Sequence, residues 1–361
     1  MKLIRKYLFV ILALVVVSCR KPVDSPVIIT LDESPYVLDY GAFPAPELPT
    51  DNPMTIQGVK LGKMLFFEKM MSRDGTLSCA GCHRQSDGFS DSLRFSIGVE
   101  MLPGKRQAMP IFNMAWHNNE FFWDGRAHLL RDQSLLPIQD GLEMNETLEN
   151  VIAKLSATQK YKDQFSRAFG SEEITSLKMS LAMEQFMLSI VSNDSKYDRY
   201  LAGTVELTES EERGRILFET EYNEFFPDQS GADCVHCHGG INFLNNQYMN
   251  NGLDSDVDMV DIGREEVTGN SEDKGKFKVP TLRNIAVTAP YMHDGRFQTL
   301  EEVIQHYNSE LQASSTIDPA LESTMNTGLL LTEQDISDLV DFLGTLTDDT
   351  FRNNEEYYTP F

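Results

Sequence analysis

The sequence predicts a mainly α chain folded as two units in series, with long loops around them. Three observations lead there. Two CxxCH pentapeptides, Cys79-Ala80-Gly81-Cys82-His83 and Cys234-Val235-His236-Cys237-His238, stand near the start of successive halves of the 361 residues. Helix-start signals recur along the chain. Strand-like alternation of apolar and polar residues is scarce.

At the N-terminus Lys2, Arg5 and Lys6 precede a short apolar run, Tyr7–Val17, which leads into the lipobox-like Val16-Val17-Ser18-Cys19. The run is shorter than the roughly 20 residues that span a bilayer. Residues 1–18 are therefore expected to be a lipoprotein signal peptide, with Cys19 lipidated after cleavage. Stable anchoring takes more than one acyl chain, which that modification supplies. The expected location is the periplasm, tethered by lipid to the cell envelope at the outer membrane. Residues 19–53 carry Pro22, Pro26, Pro35, Pro44, Pro46, Pro49 and Pro53, and read as an extended linker lifting the globular part from the membrane.

The remaining chain is long enough for two domains. A boundary is expected at Gly203-Thr204-Val205, after the amphipathic stretch Leu177–Leu201, which gives units 54–204 and 205–361. Thr208 with Glu211 makes a capping box opening a helix over Glu209–Glu219, and Thr299 with Glu302 opens another. Thr332 starts a final helix, with Ile336, Leu339, Val340 and Leu343 on one face and Gly344 as its stop.

In a CxxCH motif the two thiols can form thioethers to the vinyl groups of a haem, and the adjacent histidine becomes the proximal iron ligand. Zinc knuckles or redox dithiols are the alternative, but no partner CxxC or CxxH lies nearby to complete a tetrahedral site. Each unit is thus expected to be a cytochrome c-like domain with one covalently bound haem. Cys79, Cys82 and His83 would hold haem one, and Cys234, Cys237 and His238 haem two. With Cys19 lipidated, all five cysteines are assigned and none remains for a disulfide.

The formal charge of −24 moves to −27 once Lys2, Arg5 and Lys6 leave with the signal peptide. A surface this acidic excludes nucleic acid as a partner. It favours a basic redox partner, such as a small cationic cytochrome, by electrostatic steering, and it serves solubility equally well.

Around the motifs, from about Gly58 to Leu346, the chain resembles the bacterial di-haem cytochrome c peroxidase family, including its MauG-type branch. Leu61-Gly62-Lys63-Met64-Leu65-Phe66-Phe67 precedes the first CxxCH as in that family. Phe122-Trp123-Asp124-Gly125-Arg126-Ala127, Gln133, Pro137-Ile138 and Glu143-Met144 then follow in the family order. So do Gly263-Arg264, Gly275 to Asn284, Ala289-Pro290-Tyr291-Met292-His293-Asp294-Gly295 and Thr299-Leu300-Glu301-Glu302-Val303.

The resemblance implies a peroxidase acting on H2O2. By match, Glu143 is the proton shuttle, Gln133 hydrogen-bonds the distal ligand, Pro137 shapes the pocket and Trp123 relays electrons between the haems. The residues alone read as readily as an exposed acid, a surface amide and a core aromatic. One departure stands out: many family members carry a histidine after Ser-Ile-Gly, whereas here Ser96-Ile97-Gly98 leads into Val99. No histidine occurs between His83 and His117, and His117 and His128 stand elsewhere in the family pattern. Haem one is therefore expected to be five-coordinate or weakly water-bound when oxidised, with no need for reductive activation.

In ordinary members the helix opened by the Thr-Leu pair delivers a methionine to the second iron. Tyr307 stands at that place here, on one face with Leu300, Val303 and Ile304. Tyrosine ligation marks the MauG-type branch, and a phenolate stabilises ferric and higher states where methionine favours ferrous iron. A core tyrosine is the plainer reading, and Met292 and His293 are neighbouring alternatives as ligands. His293 is expected near the haems, and His306 is expected to be exposed.

The resemblance also implies a calcium ion between the haems, at Asn113, Thr288 and Pro290, while the acidic run Asp254–Asp261 reads as a solvated loop. The expected function is H2O2 reduction at haem one with electrons relayed through haem two from a small cytochrome. Two alternatives stay open. One is MauG-like oxidation of a partner protein's side chain, such as a tryptophan; the other is a non-catalytic di-haem electron carrier, which the missing loop histidine argues against.

Overall fold

Two helix pairs, each seated on a glycine, organise the chain. The computed structural model describes residues 29–361, so the expected signal peptide and Cys19 lie outside the described residues. Helix Ile56–Phe66 crosses helix Ser176–Ser189 at Gly62, where a Cβ would stand 1.9 Å from the Ala182 carbonyl oxygen. Helix Glu209–Glu219 crosses helix Glu333–Gly344 at Gly214, where a Cβ would stand 1.9 Å from the Asp338 carbonyl. Backbones approach that closely only where the side chain is missing.

The helices begin where the sequence signals them. Thr208 with Glu211 and Thr299 with Glu302 form reciprocal capping boxes, and Thr332 forms one with Asp335. Each satisfies backbone donors that the first turn cannot. Gly344 closes the 333–344 helix, but a further short helix, Asp349–Arg352, follows it. The stretch 177–201 is not one amphipathic helix: it breaks after Ser189, resumes at Lys196–Leu201, and its first part is buried on nearly every side. The cause is that helices Ile56–Phe66 and Leu130–Gln139 both pack against it. Strand is confined, among the described residues, to Tyr248–Met249 paired antiparallel with Phe277–Lys278 and a few isolated bridges.

Each pair carries its own core. Leu61, Leu65, Phe66, Phe89, Phe165 and Phe186 fill the first, and Phe218, Phe243, Leu300, Leu339 and Phe342 the second. Burying one such side chain stabilises by about 1.5–3 kcal/mol. The C-terminal tail returns to the first core: Phe351 packs on Phe89 and Phe112 with ring centroids 5.6 and 5.3 Å away. The tail therefore ties the second half to the first.

Residues 29–53 do not stand off as a linker. Asp32 N–H donates to the Arg167 carbonyl at 2.9 Å, and Tyr36 N–H to the Met54 carbonyl at 3.0 Å. Phe43 is buried between the Trp116 ring (5.2 Å) and the Arg283 guanidinium (4.5 Å), and Trp116 Nε1 donates to the Pro44 carbonyl at 2.8 Å. The prolines give an extended path, but Tyr36, Leu38, Phe43 and Leu48 bury it on the body.

The two halves repeat one pattern. Phe89 and Phe243 take positive φ (56° and 51°) after their CxxCH motifs, as do Asn113 and Asn284 (54° and 57°) further on. Phe121-Phe122-Trp123-Asp124-Gly125-Arg126 then corresponds to Tyr291-Met292-His293-Asp294-Gly295-Arg296. In each, the second residue has positive φ (70° and 72°) and the first bridges the residue after the arginine. A ten-residue helix follows in both, Leu130–Gln139 and Leu300–Ser309. Counting along these helices, Pro137 and Tyr307 occupy the same position.

Candidate active site

Both CxxCH motifs close the same turn. His83 N–H donates to the Cys79 carbonyl and His238 N–H to the Cys234 carbonyl, each at 2.9 Å. Cys79, Cys82, Cys234 and Cys237 are free thiols. His83 Nδ1 lies 3.0 Å from the Phe89 carbonyl oxygen, and His238 Nδ1 lies 3.2 Å from that of Phe243. A carbonyl only accepts, so Nδ1 carries the proton and the Nε2 lone pair is left for a metal. Burial favours that neutral form: it lowers the His83 pKa and brings His238 down to about 4. The positive φ at Phe89 and Phe243 is what turns these carbonyls toward the rings.

His83 opens into a cavity of about 1460 Å³ lined also by Cys82, Trp123, Gln133, Pro137 and Glu143. Gln133 and Pro137 come from one face of the 130–139 helix, four residues apart. Proline has no N–H to offer the Gln133 carbonyl, so this turn lacks one helix hydrogen bond. Glu143 follows on the next loop, where burial, reinforced by Asp140 and opposed by Arg126, raises its carboxyl to about 7. A carboxyl near neutrality can accept a proton and return it within one reaction cycle.

The loop carrying Ser96-Ile97-Gly98-Val99 is pinned onto the Glu143 loop. Val99 N–H donates to the Glu143 carbonyl at 2.9 Å, and a Cβ on Gly98 would stand 2.0 Å from the Leu142 carbonyl. Among the described residues, His83 and His117 are the imidazoles lining the cavity. His117, set aside on sequence, belongs to that wall: its Nε2 is buried without a partner, and burial together with Lys278 lowers its pKa to about 3. His128 lies away from the site, exposed and paired with Glu120 at 3.1 Å.

Trp123 is buried where the halves meet. Its Nε1 donates to the Gln107 carbonyl at 2.8 Å, and its own carbonyl accepts from Lys278 N–H at 2.7 Å. The repeat-equivalent bond runs the other way across the junction, from Gln107 N–H to the His293 carbonyl at 2.8 Å. His293 is buried and stacked on Phe277, ring centroids 3.6 Å apart. Arg106 pairs with Asp124 of its own half (2.5 Å) and across the junction with Asp261 (2.7 Å). The acidic run is thus less solvated than its composition suggests, with Asp254 paired to Arg296 and Asp261 to Arg106.

Tyr307 sits beside the second motif. Burial is the main cause that pushes its phenol up, and the Asn251 amide works against it. Among the described residues its one hydrogen-bond partner is Asn251 Nδ2, at 3.4 Å, which also donates to Met292 Sδ at 3.3 Å. Asn251 had no sequence signal, since an Asn-Asn pair in a loop reads as turn chemistry. His306, expected to be exposed, is buried, and its Nε2 lies 3.0 Å from the Asn251 carbonyl. The loop around residue 251 covers the side of the helix that the apolar stripe leaves open.

Asn113 and Thr288 are buried, and the peptide bond before Pro290 is cis. The Asn113 amide is engaged with Ser192, at 2.8 and 2.9 Å, and with Asn242. Among the described residues no group of three or more His, Cys, Asp or Glu side chains could hold a metal ion.

Comparison with known proteins places the chain in a family. A family model described as di-haem cytochrome c peroxidase matches residues 56–206. The methylamine utilization protein MauG of Methylorubrum extorquens is 35% identical over 302 residues, which cover 82% of this chain and 80% of that protein. The chain belongs to the di-haem cytochrome c peroxidase family. The cytochrome c551 peroxidase of Nitrosomonas europaea is 36% identical over 249 residues, covering 68% of this chain and 71% of that one. Among solved structures, a MauG-like protein associated with microbial copper homeostasis superposes with a TM-score of 0.81 at 33% identity, covering 90% of this chain and 99% of that chain. As a member of this family the chain is an oxidoreductase, and its MauG-type features place it near that branch.

The residues fit the cofactors the family implies. Each half offers two free thiols and an imidazole whose Nδ1 is held by a backbone carbonyl, and the first half adds a cavity of about 1460 Å³.

Proposed function

We propose that this protein reduces hydrogen peroxide at the first haem, with the second haem relaying electrons or holding oxidising equivalents. One observation carries the reading: Glu143, raised to about 7, lines the same cavity as His83, Gln133 and Pro137. A haem bound there supplies an iron that takes peroxide and accepts its oxidising equivalents. His83 would hold that iron from the proximal side, with Nδ1 fixed by the Phe89 carbonyl. Glu143 takes a proton from the bound peroxide and returns it to the leaving oxygen. Gln133 offers its amide to the distal ligand, and Pro137 presents a ring that cannot ligate. Val99, where many family members carry histidine, supports an iron open in the oxidised state.

Trp123, bonded to Gln107 on one side and Lys278 on the other, would relay electrons between the halves. Tyr307 would ligate the second iron as phenolate. This supports a second reading, in which the oxidant is spent on a side chain of a partner protein such as a tryptophan. A calcium ion between the haems, at Asn113, Thr288 and Pro290, and a lipid anchor on Cys19 in the periplasm belong to the same proposal.

The test is turnover with H2O2 and a reduced small c-type cytochrome. Rapid oxidation of many equivalents of cytochrome supports the peroxidase reading. Slow oxidation restricted to stoichiometric partner protein supports the second. If peroxide is left unconsumed with either, the proposal fails.

A further inference from the structure

We infer that Met292 is a second ligand for the iron of haem two, held in reserve beside Tyr307 and taking the iron when it is reduced. The inference rests on Tyr307 being the ligand of the oxidised iron. Its observation is the Asn251 amide, whose Nδ2 donates to the Tyr307 phenol at 3.4 Å and to the Met292 sulfur at 3.3 Å. The oxygen and the sulfur can be no further apart than these two contacts allow. Two potential ligands of opposite preference therefore sit at one corner of one site.

Neither group is there by looseness. Met292 has φ 72°, a left-handed conformation uncommon for a side chain of this size. It is pinned on both flanks, by Tyr291 N–H on the Phe297 carbonyl (2.8 Å) and by Gln107 N–H on the His293 carbonyl (2.8 Å). Its own carbonyl accepts from Gly295 N–H at 3.2 Å. Asn251 is held as firmly, with its carbonyl against His306 Nε2 and the preceding Asn250 amide donating to Ser314 and Thr316 hydroxyls, each at 2.9 Å.

In the first half the repeat-equivalent residue is Phe122, which carries no donor atom and is covered by Arg126 at 3.6 Å. The second half alone places a thioether at that position.

The chemistry divides between oxidation states. A phenolate favours ferric iron and a thioether ferrous iron. On one-electron reduction by a reduced cytochrome, Tyr307 would release the iron, and its phenolate oxygen would take one proton from solvent. Met292 would then hold the iron through a lone pair of its sulfur. Reoxidation reverses each of these changes. Haem two would thus be a low-potential centre when oxidised and a higher-potential one when reduced.

The experiment uses the exported protein with both haems attached, read by visible, EPR and magnetic circular dichroism spectra. Ferric Tyr307→Phe should keep haem two low-spin, now with the far-red charge-transfer band of thioether ligation and a raised potential. Adding Met292→Leu to that variant should abolish the band and turn haem two high-spin. Met292→Leu alone should leave the ferric spectrum unchanged and remove the thioether signature from the reduced protein. The inference is overturned if Tyr307→Phe alone makes haem two high-spin, because Met292 then does not reach the iron. If Tyr307→Phe leaves the ferric spectrum untouched, the phenol was never a ligand, and the reading beneath the inference fails in a distinguishable way.

Discussion

The two halves of this protein share a scaffold and differ at one position of the helix that follows each Asp-Gly-Arg turn. Each has a glycine-seated helix pair, a CxxCH turn, a positive-φ phenylalanine that orients the histidine, and a ten-residue helix after Asp-Gly-Arg. At the eighth residue of that helix the first half has Pro137, whose ring carries no donor atom, and the second has Tyr307, whose phenol could serve as one. On the proposed function, the difference teaches that one substitution on a repeated frame would separate a site that binds an external molecule from one closed by its own chain.

The largest effect should come from erasing that difference. Pro137→His places an imidazole where Tyr307 stands in the other half. Haem one should become low-spin and the oxidised protein should stop reacting with peroxide, which stopped-flow spectra would show. A still-reactive high-spin haem one in this variant would break the equivalence of the two positions.

Next is Glu143→Gln, which removes the proton acceptor of the open half. It should lower kcat/KM for H2O2 by roughly 10²–10⁴-fold, the usual worth of general acid–base catalysis. The native profile should rise with pH through about 7 as the carboxyl loses its proton, and the variant's should be flat over that range.

The halves also differ one residue before their positive-φ asparagines, where the first buries Phe112 and the second Arg283. Arg283 is paired to Asp198 at 2.7 and 2.8 Å. Asp198→Asn breaks a buried pair and should cost about 3–5 kcal/mol in denaturant unfolding at neutral pH. The pairing with Arg283 outweighs burial and keeps the Asp198 carboxyl below the usual range. Its contribution is therefore present above the unfolded carboxylate pKa of about 4 and is lost as pH falls below it. Phe112→Ala should cost a similar amount, about 3–5 kcal/mol, with no such acid dependence.

The smallest effect is at the junction. Trp123→Phe deletes the indole N–H bond to the Gln107 carbonyl and should lower stability by about 1 kcal/mol. It should also slow electron transfer between the haems, measured by flash reduction, while leaving peroxide binding to haem one intact.

Much of this was legible in the sequence because the signals are local. The CxxCH pentapeptides need only adjacent residues, and the boxes at Thr208 and Thr299 need three residues of helix. Gln133, Pro137 and Glu143 were legible through family order, and the structure brings them into one cavity with His83. What stayed hidden depends on contacts distant in sequence. His306 falls off the apolar stripe of its helix and is buried only because the loop at Asn251 folds over it. Residues 29–53 have a linker's composition, yet Phe43 finds Trp116 and Arg283 from opposite halves. The pairing of Pro137 with Tyr307 was invisible because the repeat is carried by backbone conformation more than by identity.

The measurement that tests the central claim most directly is the EPR spectrum of the fully oxidised, haem-loaded protein before and after one equivalent of H2O2. An open first half and a phenolate-closed second half predict one high-spin and one low-spin haem, with the high-spin signal changing at once on addition. Two low-spin haems that ignore peroxide until an electron is supplied would contradict the account.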